Sequence, residues 1–179
     1  MDIAILGGNA LKIRSKHASF VVDPVKTMSK VNADAILLLG NIDIDTSRVL
    51  DKRIIIDGPG EYEVGGVKIS GIKIGPPGRD AGHGIIYSLF LDSLRIILGK
   101  VSDISRIEDT TSSCQIALLL ADSDLKSIVA KLEPKIIVLY GEKKMEGAKL
   151  LGKADIQPVQ KFTTTKDKLS EEIEVVVLG

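Results

Sequence analysis

Ile3-Ala4-Ile5-Leu6-Gly7-Gly8-Asn9-Ala10-Leu11-Lys12-Ile13 opens the chain. Two apolar runs flank a Gly-Gly-Asn turn, and the run after the turn alternates apolar with polar residues. That pattern predicts a β-hairpin, with a side-chain period of two on either side of a turn built for unusual backbone angles. The glycines also invite a nucleotide-loop reading. A dinucleotide fingerprint needs a third glycine and a following helix, whose N-terminal amides meet the pyrophosphate. Here the third glycine is missing and a strand-like run follows, so the hairpin reading prevails.

Working outward, Ala18–Val22 reads as a third strand. It stops at Asp23-Pro24, because proline has no N–H to give a ladder. Ala35–Leu39 is a continuous apolar run ending at Gly40, the pattern of a strand buried on both faces. Thr46–Asp51 reads as one helical turn, Arg53–Ile56 as a strand, and Asp57-Gly58-Pro59-Gly60 as a tight turn. Val67–Ile74 alternates between faces, and Gly75 to Gly84 reads as a loop. Ile85–Leu91 and Leu94–Leu98 flank Asp92-Ser93 as a second hairpin. The later chain changes character. Cys114–Leu120 reads as a buried strand. A helix capped by Ser123 and running to Glu133 is expected, since Leu125, Ile128, Val129 and Leu132 share one face. Then come a strand at Ile136–Tyr140, a helix at Glu142–Leu151 stopped by Gly152, and strands at Asp155–Val159 and Glu174–Leu178. No linker or repeat interrupts residues 1–179, which read as one α+β domain.

Composition narrows the function. Lys plus Arg number 24 and Asp plus Glu number 24, so the formal charge is zero. The general electrostatic argument for nucleic acid or an anionic membrane is therefore absent, and neither is expected as a partner. Ile and Val together make 38 of 179 residues, which favours sheet. Aromatics are 3% with no Trp, leaving little material for stacking on bases or sugars. The longest apolar run, Ile116 to Ala121, is too short to span a bilayer. The single cysteine, Cys114, can form no internal disulfide and no cysteine zinc cage. A lone thiol and an N-terminus without a basic stretch point to a reducing compartment, the cytoplasm.

Few residues are candidates for chemistry. No G-x-x-x-x-G-K-[ST] or G-x-S-x-G motif exists. Of the two histidines, His17 sits beside a strand with polar neighbours and reads as a surface residue. His83 lies in a glycine-rich loop, a better place for function. Asn41, Asp43 and Asp45 follow the end of a buried strand. Acidic residues at alternate positions can supply oxygen ligands to a hard cation; Asp45 or Thr46 can equally cap a short helix.

Taken together, these segments resemble the metallo-β-lactamase superfamily, and its small Zn-dependent hydrolase branch in particular. Ile3 to Ile13 is similar to that branch's first hairpin. Phe20-Val21-Val22-Asp23-Pro24 resembles its strand ending in Asp-Pro, and Ala33 to Leu39 the strand leading to the metal motif. Gly58-Pro59-Gly60-Glu61-Tyr62 resembles its Pro-Gly-Glu-Tyr turn, Leu94 to Gly99 the strand before the bridging aspartate, and Leu169 to Leu178 the final strand. The resemblance implies a four-layer αββα sandwich, here reduced in its helices.

The resemblance also implies a ligand set, and this chain departs from it. The family signature is Thr-His-x-His-x-Asp-His; the same stretch here reads Leu39-Gly40-Asn41-Ile42-Asp43-Ile44-Asp45. Gly40 and Ile42 stand for the first two histidines, Ile44 for the aspartate and Asp45 for the third histidine. Lys100 stands for the bridging aspartate, and Tyr140 or Gly141 for the late histidine. His83 does not align with the remaining one. Zinc hydrolysis needs an ion that acidifies bound water to a pKa of roughly 7, and Lys100 would repel that ion by several kcal/mol at an effective dielectric of ~20. The expectation is a silent domain that binds or assembles, with no cofactor and a vestigial cleft of Gly40, Asn41, Asp43, Asp45, His83, Lys100 and Tyr140. Its partner is expected to be a second copy or another protein. A hydrolase with a relocated zinc or other metal site at Asp43, Asp45 and His83, or a metal-free ligand binder, are the alternatives. Lys100 is expected to enter the cleft and pair with Asp43 or Asp45.

Overall fold

A computed structural model describes residues 1–40, 43–75, 84–107, 113–125 and 128–179. In chain order the strands are β1 (Asp2–Gly7), β2 (Ala10–Arg14), β3 (Ser19–Val22), β4 (Val31–Asn32), β5 (Ala35–Leu37), β6 (Val49–Leu50), β7 (Ile54–Ile56), β8 (Gly60–Val64), β9 (Val67–Ile74), β10 (Gly84–Leu91), β11 (Leu94–Lys100), β12 (Ile116–Leu120), β13 (Ile136–Tyr140), β14 (Lys161–Thr163) and β15 (Glu174–Val177). The helices are α1 (Val101–Ile104), α2 (Ile128–Leu132) and α3 (Lys144–Leu150). None is long and apolar enough to cross a membrane.

The strands form a six-stranded sheet, ordered β14-β1-β2-β3-β5-β7, and a seven-stranded sheet, ordered β15-β13-β12-β11-β10-β9-β8. The opening hairpin is present, with Ile3 opposite Ile13 and Ile5 opposite Leu11. Asp92 and Ser93 both take the left-handed conformation, φ 49° and 63°, which a two-residue turn between β10 and β11 requires. From β11 onward the pairing to β12, β13 and β15 is parallel, as strand–helix–strand units demand.

The alternation of side chains shows how the sheets meet. Leu11, Ile13, Phe20, Val22, Ala35 and Leu37 from the first sheet share one core with Tyr87, Leu89, Ile96, Leu98, Leu118 and Val138 from the second. Their neighbours of opposite parity face outward. Ala117, Leu119, Ile137 and Leu139 pack under the helices, against Val101, Ile128, Leu132 and Ala148. Val21 and Ile36, on the far side of the other sheet, pack against Met28, Ala33 and Val49. That outer face carries the segment holding β4 and β6, which pair at Val31 and Val49, and no helix longer than the 3-10 turn Thr46–Arg48 among the described residues. The result is a two-sheet sandwich with its helices on one side. β5, β12 and β13 are buried on both faces, as the apolar runs predict.

Three expectations need correcting. Asp155–Val159 is not a strand: it is mostly exposed, Pro158 offers no N–H, and only Val159 makes an isolated bridge to Leu178. The strand in that region is β14, which pairs with β1 at Asp2–Thr163. Its three residues are too short to display a period. The helix expected from Ser123 is present only as α2, from Ile128; Ser123 does not cap it, and residues 126–127 lie outside the described ones. The helix expected at Glu142–Leu151 is α3 with shorter ends, and Gly152 closes it at φ +77°.

A buried side chain ties the sheets polarly. Tyr87 of β10 is fully buried, and its hydroxyl donates to the carbonyls of Leu38 and Ile56, each at 2.9 Å. Burial holds the phenol far above its usual pKa, so it remains a donor at any working pH. Tyr87→Phe removes the donor and leaves the cavity nearly filled. Its expected cost is roughly 1–3 kcal/mol, read as a lower urea midpoint at unchanged slope. A variant as stable as the parent would show that the two carbonyls need no protein donor.

Candidate functional site

Strand ends gather at one end of the sandwich. Asp23 follows β3 and Gly40 lies shortly after β5. Lys100 ends β11, Ala121 and Asp122 follow β12, and Gly141 and Glu142 follow β13. With the Gly8-Asn9 turn, all of these but Gly40 line two adjoining clefts. The larger, about 620 Å³, is walled by Asn9, Asp23, Asp43, Gly141, Glu142 and Lys144 among others. The smaller, about 200 Å³, is walled by Asn9, Lys100, Asp122, Glu142 and Lys143 among others.

Backbone geometry explains the rim. Asp23 sits at φ 42°, a conformation aspartate tolerates better than most residues. From there its N–H donates to Leu37 O at 3.1 Å and its carboxylate accepts the N–H of Leu39 at 2.9 Å. It is buried, so this carboxylate fastens the end of β3 to the chain leaving β5. Pro24 continues the seam, its carbonyl accepting the N–H of Asp45 at 2.8 Å.

The residues singled out from sequence divide. Gly40 takes φ +82° and its carbonyl accepts the Lys100 ammonium at 3.3 Å. Asp43 is exposed and lines the larger cleft. Asp45 caps the 3-10 turn, accepting the Ser47 N–H at 2.9 Å. The Ser47 hydrogen bonds hold its carboxyl below the ordinary value. Of the two readings left open for this loop, the capping one is realised at Asp45. Asn41 and His83 lie outside the described residues. Tyr140 is fully buried between the sheets, below the clefts and lining neither. Its hydroxyl has no hydrogen-bond partner among the described residues, and burial, then Asp23 and Asp122, raise its pKa well above normal.

Lys100 lines the smaller of the two clefts, and the expected ion pair is absent among the described residues. Among the described residues it makes no salt bridge with Asp43 or Asp45, and its ammonium rests on the Gly40 carbonyl instead. The physical reason is that Asp45 already serves a backbone amide while Asp43 points to solvent.

Sequence reading passed over Asp23, Asn9, Asp122 and Glu142 as site residues. Asp23 left a signal, an acid-proline pair ending an apolar strand. Asp122 left none: it caps α1 from a distance, accepting from the N–H of Ser102 at 2.9 Å and from the Ser102 hydroxyl.

Similarity to known proteins bears on the fold. No family model matches the chain, and no curated protein matches it. Among solved structures, a Zn-dependent hydrolase of the metallo-β-lactamase superfamily from Thermotoga maritima superposes with a TM-score of 0.73 at 20% identity, covering 99% of this chain and 97% of that one. A metal-dependent hydrolase from Parabacteroides distasonis gives 0.65 at 16%, covering 99% and 93%. The metallo-β-lactamase fold protein YhfI from Bacillus subtilis gives 0.54 at 13%, covering 99% and 96%. This chain has the metallo-β-lactamase fold.

Metallo-β-lactamase-fold enzymes of the kind the first neighbour is named for hold zinc, so the donor set must be compared with such an ion. The described residues do not fit one. Among them no three His, Cys, Asp or Glu side chains converge. Asp23, Asp45 and Asp122 are each committed to a backbone N–H, and Lys100 brings a cation into the same end of the fold. Structural zinc takes four ligands, and catalytic zinc three and a water.

Behind Lys100 lies a further carboxyl. Asp103 of α1 is buried, and one of its oxygens has no hydrogen-bond partner among the described residues. A Cβ on Gly84 would sit 2.0 Å from that oxygen, so only glycine fits opposite it. Burial raises the Asp103 pKa, Lys100 opposes the rise and Asp122 adds to it. A raised folded-state pKa means the folded protein holds the proton more tightly than the unfolded chain. The burden on stability is therefore absent below the ordinary carboxylate value, about pH 4, and grows as pH rises through the folded value. Asp103→Asn is expected to raise the melting temperature at pH 7, with the gain closing as pH falls towards 4. A gain independent of pH would assign the effect to packing, and no gain would show that the carboxylate is compensated.

Proposed function

We propose that this protein is a degenerate metallo-β-lactamase-fold domain, catalytically silent, that works as a binding or assembly module. The observation that supports it is the position of the Lys100 ammonium on the Gly40 carbonyl, a cation at the strand ends where hydrolases of this fold gather their metal. The commitment of Asp23, Asp45 and Asp122 to backbone amides favours the same reading. On it the protein needs no cofactor and resides in the cytoplasm, with Cys114 a buried thiol raised to a pKa of about 11 chiefly by burial. Its partner is a second copy or another protein. The layer set is a four-layer sandwich in which the segment holding β4 and β6 replaces one helical layer.

A second reading, metal-free binding of a small ligand, is favoured by the persistence of the 620 Å³ cleft with both carboxylate and ammonium on its walls. A relocated metal site on Asp43, Asp45 and His83 is disfavoured by the capping role of Asp45.

Metal content separates the readings. Protein purified without chelator and dialysed against zinc is expected to retain far less than one ion per chain by elemental analysis. Stoichiometric zinc, manganese or iron would overturn the silent reading. Lys100→Asp is expected to gain no zinc affinity, because one carboxylate does not replace the missing imidazoles. It should lose roughly 1 kcal/mol of stability with the hydrogen bond to Gly40. A measurable rise in zinc affinity by calorimetry would mean the cleft holds ligands beyond those described.

A further inference from the structure

β7 is the last strand of the six-stranded sheet and, among the described residues, pairs only with β5. Its sequence is Ile54-Ile55-Ile56, with Ile54 38% and Ile55 40% exposed. At three residues the edge is short, but it is apolar and carries no proline or lysine, and its unpaired backbone groups can template a further strand. The Ile56 carbonyl turns inward, accepting the Leu38 N–H at 3.0 Å. By the alternation of a strand, the N–H and C=O of Ile55 then face the open side.

We propose that this edge pairs, antiparallel and about a two-fold axis through Ile55, with β7 of a second copy of the chain. The proposal deepens the assembly half of the reading above and names its surface. Charge complementarity selects the occupant. The flanks read Asp51-Lys52-Arg53 before the isoleucines and Asp57 after them. In the two-fold register Ile55 faces Ile55, Ile54 faces Ile56, and Arg53 faces Asp57 of the second copy, twice by symmetry. Edges protected against self-pairing carry charges that oppose it; these carry opposite charges at the positions the two-fold axis brings together, which stabilises cross-strand pairing. Arg53 is available for that contact, since its side chain is 78% exposed and meets Asp34 only at 4.0 Å. Asp57 is exposed too. Backbone pairing across the axis is confined to Ile54–Ile56, since the Arg53 N–H already donates to Asp34 O at 2.9 Å, and the charged side chains flank it.

The test is sedimentation of the full chain at micromolar concentration, with thermal unfolding as a fold control. The parent is expected to be a dimer and Ile55→Lys a monomer with an unchanged transition. Arg53→Asp alone sets like charges opposite each other twice and weakens the dimer by about tenfold. Adding Asp57→Arg restores it, because the two-fold axis exchanges the signs. Should Ile55→Lys fail to fold, the two exposed charge variants decide alone. A monomeric parent, a dimer that survives Ile55→Lys, or a double swap that does not recover would each overturn the proposal. Survival of the dimer in Ile55→Lys would sink this edge and leave assembly through another surface. Stoichiometric zinc would sink the silent reading and leave the edge standing.

Discussion

The Tyr87 hydroxyl is the point at which the two sheets become one structure at their functional end. The interior of the sandwich is otherwise apolar, and non-directional burial fixes distance far better than orientation. Tyr87 adds direction. From the middle of β10 it reaches the carbonyls of Leu38 and Ile56, on the two chains leaving β5 and β7. Leu38 in turn donates to Ile56. The start of the 38–40 segment is thereby placed against the second sheet, and with it the Gly40 carbonyl on which Lys100 rests. The Asp23 carboxylate takes up the next amide, that of Leu39.

The sheet was legible because its signal is repeated. Val67–Ile74 alternates over eight residues, and Ile116–Leu120 is apolar throughout because the helices cover one face and the first sheet the other. Where the repeat is short the sequence is silent. β14 has three residues and one partly buried side chain, Phe162; its strand state comes from β1 lying alongside, a tertiary cause no local window carries. The Ser123 helix fails for the complementary reason. Leu125, Ile128 and Leu132 are all buried as the helical period requires, yet the period does not reveal where the backbone begins to coil, and the described helix starts only at Ile128.

Site residues were legible in position more than in partnership. Of the positions that depart from the metal signature, Gly40 and Lys100 meet at the strand ends, Asp45 caps a 3-10 turn nearby, and Tyr140 is buried beneath them. What each side chain does there depends on groups distant in sequence. Lys100 meets a carbonyl sixty residues away, Asp122 caps a helix that begins twenty residues earlier, and Asp23 meets an amide sixteen residues on. An ion pair between Lys100 and Asp45 is a sound inference from charge alone, and it fails because a backbone amide reaches Asp45 first.

This competition separates fold from activity. The sandwich core runs through strands whose apolar faces need nothing from the strand ends, so loops there can change donors without unfolding the domain. Orphan amides at the ends of strands and short helices still require acceptors. Carboxylates are the strongest available, and here Asp23, Asp45 and Asp122 meet Leu39, Ser47 and Ser102 respectively. A carboxylate held by an amide has one fewer lone pair and less freedom to turn towards a cation. The same groups that could ligate a metal instead link segments across the cleft mouth, and Lys100 adds a link of the opposite charge. Such a rim is polar and cross-linked by groups that the apolar core does not need, so strand-end chemistry and fold can vary separately.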